Sequence, residues 1–256
     1  MNYYAGLDVS LEATSLCIVD EDGTIVCELK VASDPAAIGE ALRESGFSLE
    51  RIGLEAGPLS QWLYGGLRAQ GWPAICVDAR HMKASLSAMR NKTDRHDARG
   101  IAQMMRVGLF RVVHVKSRES HELRLLLTNR SLLRRKCLDI ENEIRGSLKI
   151  FGLKVGRVTK FTFERRVREL VEGEPRLQAA FAPMLRARAV LFEEFNGLHR
   201  QVLEAVRRDE ACRRFMTVPG VGPITALAFK TAVEVPERFA KSKTVGAHFG
   251  LTPRKF

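Results

Sequence analysis

The chain has 256 residues, 45% of them apolar and 28% charged, which supports a real core and excludes a disordered or fibrous chain. No apolar run approaches about 18 residues and the start, MNYYAGLD, has no signal-peptide pattern, which argues against a membrane span and for a cytoplasmic protein. The net charge of +11 favours a polyanionic partner, while five scattered cysteines (Cys17, Cys27, Cys76, Cys137, Cys212) offer no zinc motif or disulfide framework and read as buried thiols in a reducing compartment.

In chain order, YYAGLDV, TSLCIVD and TIVCELK are β-rich runs, the last two joined by a turn at Glu21-Asp22-Gly23. A helix is predicted after Asp34-Pro35, with Asp as N-cap and Pro in the first turn. IGLEA predicts a fourth strand, Ser60 to about Arg68 a helix, and PAICVD a fifth strand. Strands alternating with helices after a three-strand start predict a mixed α/β sheet. From Arg80 onward the pattern turns helical and basic.

Residues 117–151 and 176–215 carry apolar residues at three- and four-residue steps and predict two long amphipathic helices, able to pair as an antiparallel coiled-coil hairpin. FGLKVGRVTKFTF, with Gly152 and Gly156, is the loop-like break between them. The segment VPGVGPITALAFKTAV (218–233) resembles the hairpin of helix-hairpin-helix modules. There Gly220 and Gly222 leave backbone N–H groups and a helix N-terminus open to a phosphate.

Charge is unevenly divided. Residues 1–110 hold 11 Lys and Arg against 14 Asp and Glu, a net of −3; residues 111–256 hold 30 against 16, a net of +14. An acidic front and a basic rear suggest chemistry in the first part and a polyanion held by the second. Four carboxylates carry that chemistry. Asp8 in GLDVS and Glu55 in GLEAGP end strands, and Asp94 and Asp97 in KTDRHDA lie one helical turn apart. Gathered together they would repel unless cations neutralised them. The expected occupant is one or two Mg²⁺ (or Mn²⁺) ions, which polarise a scissile phosphate and activate a hydroxyl. Taken singly, each acid has a structural reading as a cap, a turn former or a solvated strand end. Lys92, Arg95, His96 and Arg99 surround the pair and are candidates to steer a phosphodiester backbone. Further backbone contacts are expected from Arg134, Arg135, Lys136, Arg165 and Arg166.

With these motifs the chain resembles the DEDD-type insertion-sequence transposases of the IS one-ten family. The matching residues are GLDVS (6–10), LEAGP (54–58), NKTDRHDA (91–98), PGVGPITAL (219–227) and FGLTPR (249–254), spread over nearly the whole chain. The resemblance implies a RuvC-like, ribonuclease-H-type domain at 1–112 whose acidic tetrad is Asp8, Glu55, Asp94 and Asp97. It further implies a coiled-coil connector and dimerisation region at 113–210 and a mainly α transposase domain, present in part, at 211–256. It implies DNA as substrate, a structured bridge RNA as guide, and a homo-oligomer, dimer or tetramer on DNA. The family places a nucleophilic serine shortly after LTPR, in a segment like QSGE. Here the sequence stops at Phe256 and Ser242 lies upstream of the motif, so the expectation is a truncated chain lacking that nucleophile. Two alternatives stay open: a RuvC-like structure-specific DNA nuclease using water as nucleophile, and a non-catalytic nucleic-acid-binding product.

Overall fold

The computed structural model describes residues 1–79 and 94–251, with side chains from Asp97 onward in the second stretch. Lys92 and the side chains of Asp94, Arg95 and His96 lie outside the described residues, as does the end of FGLTPR. The chain divides into two compact units, Met1–Lys116 and Ser117–Phe256.

The first unit is built on five strands: β1 (Tyr3–Val9), β2 (Ala13–Val19), β3 (Ile25–Ala32), β4 (Leu49–Glu55) and β5 (Ala74–Val77). Their order is β3-β2-β1-β4-β5. β1 and β2 pair antiparallel, as do β2 and β3, whereas β4 lies parallel to both β1 and β5. This is the mixed α/β sheet expected from the sequence. Residues 111–113 run back beside β5, where the Arg111 carbonyl accepts from the Asp78 N–H and the Val113 N–H donates to Cys76.

Strand alternation gives the sheet two apolar faces. Ala5, Leu7, Leu16, Ile18, Ile52 and Leu54 face helices α1 (Pro35–Glu44) and α2 (Ser60–Ala69), which add Ile38, Leu42, Leu63 and Leu67. Each leucine and isoleucine among them contributes about 1.5–3 kcal/mol by leaving water. Asp34 caps α1, accepting from the Ala36 and Ala37 N–H groups at 2.8 and 3.2 Å, and Pro35 supplies the preset first turn. The opposite face, with Tyr4, Cys17, Val19 and Val77, is covered by α3 (Asp94–Val107) through Ala98, Ile101, Ala102 and Met105. That spacing is one helical stripe.

The second unit pairs two long helices, α4 (Arg118–Ile150) and α6 (Pro175–Arg208). Arg130 meets His199 and Glu141 meets Arg188, so the partners run in reversed order and the hairpin is antiparallel. A helix the sequence reading passed over, α5 (Phe163–Leu170), lies between them and buries Phe163 and Val167 against Ile144, Leu148 and Phe181. α6 ends at Arg208 rather than continuing to residue 215, because Asp209 turns extended and its carboxylate caps a new helix, α7 (Glu210–Phe215), at Cys212 N–H. A hairpin through Pro219 and Gly220 (φ +85°) leads into α8 (Pro223–Val233), and α9 (Ser242–His248) follows. No helix among the described residues is long and apolar enough to cross a membrane.

Candidate active site

Asp8 and Glu55 occupy equivalent places on neighbouring strands. β1 and β4 run parallel with Gly6 opposite Gly53 and Leu7 opposite Leu54, so extending the register by one residue sets Asp8 beside Glu55, one strand spacing (about 4.8 Å) away. The ends of both strands line one cavity of about 270 Å³, walled by Asp8 to Leu11 on one side and Glu55 to Ser60 on the other. The Ser60 hydroxyl shapes its floor, accepting from the Gly57 N–H at 2.9 Å and donating to the Gly57 carbonyl at 2.7 Å. This is the carboxyl end of two parallel strands, at the point where the sheet changes direction, the usual place for a ligand crevice in α/β sheets.

Period-two alternation puts Gly6 and Asp8 on one face of the sheet, together with Gly53 and Glu55. It is the face on which α3 lies. The two glycines let the helix settle onto the strands. A Cβ at Gly6 would collide with the Ala98 carbonyl and the Ala102 N–H, and one at Gly53 would come within 2.8 Å of Met105 and Ile101 side-chain atoms. Gln103 donates to the Gly23 carbonyl at 2.6 Å and Arg106 to that of Glu21 at 3.1 Å, fixing the C-terminal half of α3 at the β2–β3 turn. Because that turn follows Val19, which pairs with Tyr4, α3 runs back along β1. Its first turn, bearing Asp94 and Asp97, therefore points toward the strand end that carries Asp8.

The chemistry of this donor set is that of a hard divalent cation: carboxylate oxygens, a shared cavity and no thiol among its walls. Asp97 is half-buried, and the Asp94 carboxylate lies outside the described residues. Among the described residues no three His, Cys, Asp or Glu side chains form a group able to hold a metal, so the two strand acids are the pair that the described side chains bring to one cavity.

Arg99, expected beside a phosphate, is instead engaged within the domain: its Nε and Nη2 both donate to the Glu28 carboxylate on β3. That bidentate pair ties α3 to the strand two places from β1 and removes the guanidinium from the list of ready backbone contacts. Between them lies Cys17, whose thiol burial, and then the Glu28 carboxylate, push up to about 12; it is no nucleophile. Lys30, passed over in the sequence, is the residue this geometry adds. It pairs with Ser15, which pairs with Asp8, so an exposed ammonium stands on the same face, two strands from the acids.

In the second unit Arg134, Arg135 and Lys136 are exposed on α4, Lys136 bridging to Asp139 at 3.2 Å. Arg165 and Arg166 both reach Glu169, at 3.5 Å. Gly222 precedes α8 with Pro223 at its first position, and Gly220 takes the positive φ that closes the hairpin.

Residues 5–152 match the DEDD model of the IS110 type, described as "Transposase", and residues 212–256 match "Transposase IS116/IS110/IS902 family". The transposase for insertion sequence element IS1111A from Coxiella burnetii is 29% identical over 256 residues, covering 98% of this chain and 68% of its own length. The probable family 20 transposase of Pseudomonas aeruginosa is 27% identical over 255 residues, covering 98% and 74%. Among solved structures, Thermus thermophilus RuvC aligns with 43% of this chain and 99% of its own, at 14% identity and a TM-score of 0.34.

Proposed function

Because the chain belongs to the IS110 family of transposases, we propose that Asp8, Glu55, Asp94 and Asp97 form one acidic site that cuts and exchanges DNA strands. The observation that carries this reading is the cavity shared by Asp8 and Glu55 at the ends of β1 and β4, two acids that alternate onto the sheet face α3 covers. A bound Mg²⁺ (or Mn²⁺) would polarise the scissile phosphate and lower the pKa of the attacking hydroxyl. Asp8 and Glu55 hold the site from two rigid strands, and Asp94 and Asp97 close it from the helix. Lys92 and Arg95 steer the DNA backbone toward it.

The basic second unit is the polyanion holder in this reading, with Arg134, Arg135 and Lys136 on α4 and the Gly220–Gly222 hairpin receiving phosphates. The finer assignment is a recombinase guided by a structured bridge RNA, working as a homo-oligomer joined through residues 113–210, with 1–112 as the catalytic domain and 211–256 as transposase domain. The family's serine nucleophile is assigned to none of the 256 residues. The cytoplasm is the compartment this reading requires.

The test is strand cleavage of insertion-sequence-end DNA with Mg²⁺ by an intact homologue that carries the serine, with and without the structured RNA flanking its gene. Substitutions there at the positions matching Asp8→Asn and Glu55→Gln should each abolish cleavage while RNA binding persists. Cleavage unchanged in both variants would reject the acidic site. RNA-independent hydrolysis of branched DNA would replace the recombinase by a structure-specific nuclease.

A further inference from the structure

One exposed ring in the second unit is held more firmly than a solvent-facing phenylalanine requires. Phe161 is 73% exposed, yet it and Lys160 are the two central residues of a tight turn, Thr159 to Thr162, closed by the Thr162 N–H donating to the Thr159 carbonyl at 3.2 Å. The flanking threonines lock that turn reciprocally. The Thr159 N–H donates to the Thr162 hydroxyl at 3.1 Å, and the Thr162 N–H reaches the Thr159 hydroxyl at 3.3 Å.

The turn is also tied to the core. Arg188, only 4% exposed, donates through Nη2 to the Lys160 carbonyl at 2.6 Å and through Nε to Glu141 at 2.6 Å. Burying a charged group is costly unless it is fully paired, so this anchor is not incidental packing. The Lys160 ammonium lies 5.2 Å from the Phe161 centroid and 5.3 Å from that of Phe192, and the two rings meet edge-on at 5.6 Å. The result is a fixed apolar ring with a cation across it. From Ile150 to Thr162 the chain carries Lys154, Arg157 and Lys160 and no carboxylate.

In the cavity that Phe161 lines, Glu164, Glu169 and Glu172 stand with Arg165 and Arg168, which pair with Glu169 and Glu164, so the cations of the turn itself are the ones offered to phosphates. An exposed, preorganised ring beside such cations has the chemistry of a base-stacking platform: the π-face receives a base and Lys160 and Arg157 receive the phosphates on either side. We propose that the Thr159–Thr162 turn docks an unpaired base of a single-stranded nucleic acid, Phe161 stacking on the base and Lys160 and Arg157 contacting the flanking phosphates. The proposal rests on the reading of the chain as a nucleic-acid enzyme. It adds a recognition point for unpaired strand remote in sequence from the acidic site.

The experiment measures binding of the full chain to labelled poly(U), poly(dT) and a blunt DNA duplex across a salt series. Phe161→Leu, at an exposed position, should weaken single-strand binding about tenfold without changing the salt slope. Lys160→Gln should lower that slope by about one contact, and neither variant should change duplex binding through the ring. Phe161→Trp should retain affinity and show tryptophan quenching when the strand binds. Greater dependence on poly(U) would identify RNA as the occupant and on poly(dT) DNA; either supports the platform. Unchanged single-strand affinity in Phe161→Leu overturns it. So does a change confined to oligomeric mass by light scattering, which would make a second copy of the chain the occupant. Should the wild-type chain bind neither polymer, the nucleic-acid reading fails along with the platform; if it binds both and Phe161→Leu is silent, the platform alone fails.

Discussion

Gly6 of β1 and Ala98 of α3 meet backbone to backbone, with no room for a side chain between them. Gly53, its partner on β4, faces Met105 and Ile101 side chains instead. Substituting the two glycines should therefore have unequal effects. At Gly6 the obstacle is helix backbone, which cannot yield without lifting α3; at Gly53 it is side-chain atoms, the Met105 thioether arm and an Ile101 methyl, which can shift by rotation. Gly6→Ala should cost about 3 kcal/mol or more and Gly53→Ala about 1–2 kcal/mol, read from urea unfolding of the first unit. The Mg²⁺-induced stabilisation should also fall in Gly6→Ala and persist in Gly53→Ala, because on the proposed reading the helix that moves is the one bearing Asp94 and Asp97. Equal destabilisation by both substitutions would refute the close approach.

The Glu28–Arg99 pair makes a second prediction about the same helix. Glu28→Gln and Arg99→Gln should each lower the thermal midpoint of the unit, and the double variant should lower it by less than the two single losses combined. Additive losses would show that the pair does not act as one clamp.

Divalent metal should stabilise the first unit by mass action. At a Mg²⁺ concentration a hundredfold above the dissociation constant the gain is about 2.7 kcal/mol for a site present only in the folded state. Asp8→Asn or Glu55→Gln should remove most of that gain in thermal melts, whether or not the chain cuts DNA. A Mg²⁺-induced shift that survives both substitutions would place the ion elsewhere.

The Asp209–Lys230 pair predicts a pH dependence in the second unit. Burial alone would raise the Asp209 carboxyl, but the Lys230 ammonium and the Cys212 N–H outweigh it and hold Asp209 below its ordinary 3.8. Burial would lower Lys230, and the Asp209 carboxylate overrides this and raises it above 10.5. A depressed carboxyl stabilises the fold above its unfolded value and ceases to do so as pH falls through its folded value. A raised ammonium stabilises below its unfolded value and loses this as pH climbs through the folded one. The stabilising window therefore runs between these limits. Asp209→Ala should cost about 2–3 kcal/mol at neutral pH, combining an unpaired lysine with a lost helix cap, and should flatten the acid limb of stability measured by urea unfolding. An acid limb identical to wild type would remove the pair from the account.

Much of the first unit is legible in the sequence because period-two alternation and turn residues coincide: Asp34-Pro35 starts a helix, Glu21 to Gly23 turns a hairpin, and Asp8 and Glu55 close their strands. What alternation cannot convey is lateral pairing. That Lys30 shares a row with Asp8, or that Arg99 is engaged by Glu28, depends on strand neighbours set by tertiary topology. In the second unit the long helices are visible by periodicity, and Pro183 does not interrupt α6. The short helix α5 starts at the last residue of the loop-like stretch and runs on through residues to which periodicity assigns no element, because eight residues carry too few turns for a clear stripe. Arg188 was invisible for a different reason: a buried arginine among surface-type residues is betrayed only by its partner on the other helix.

The face of the sheet that carries Asp8 and Glu55 is covered by a helix beginning about forty residues after Glu55. During synthesis β1 and β4 leave the ribosome first, and the sheet face around Gly6 and Gly53 stays bare until α3 has emerged and settled there. A chain ending before α3 would leave Tyr4, Cys17, Val19 and Val77 uncovered, so the order of synthesis sets when this face of the sheet is sealed.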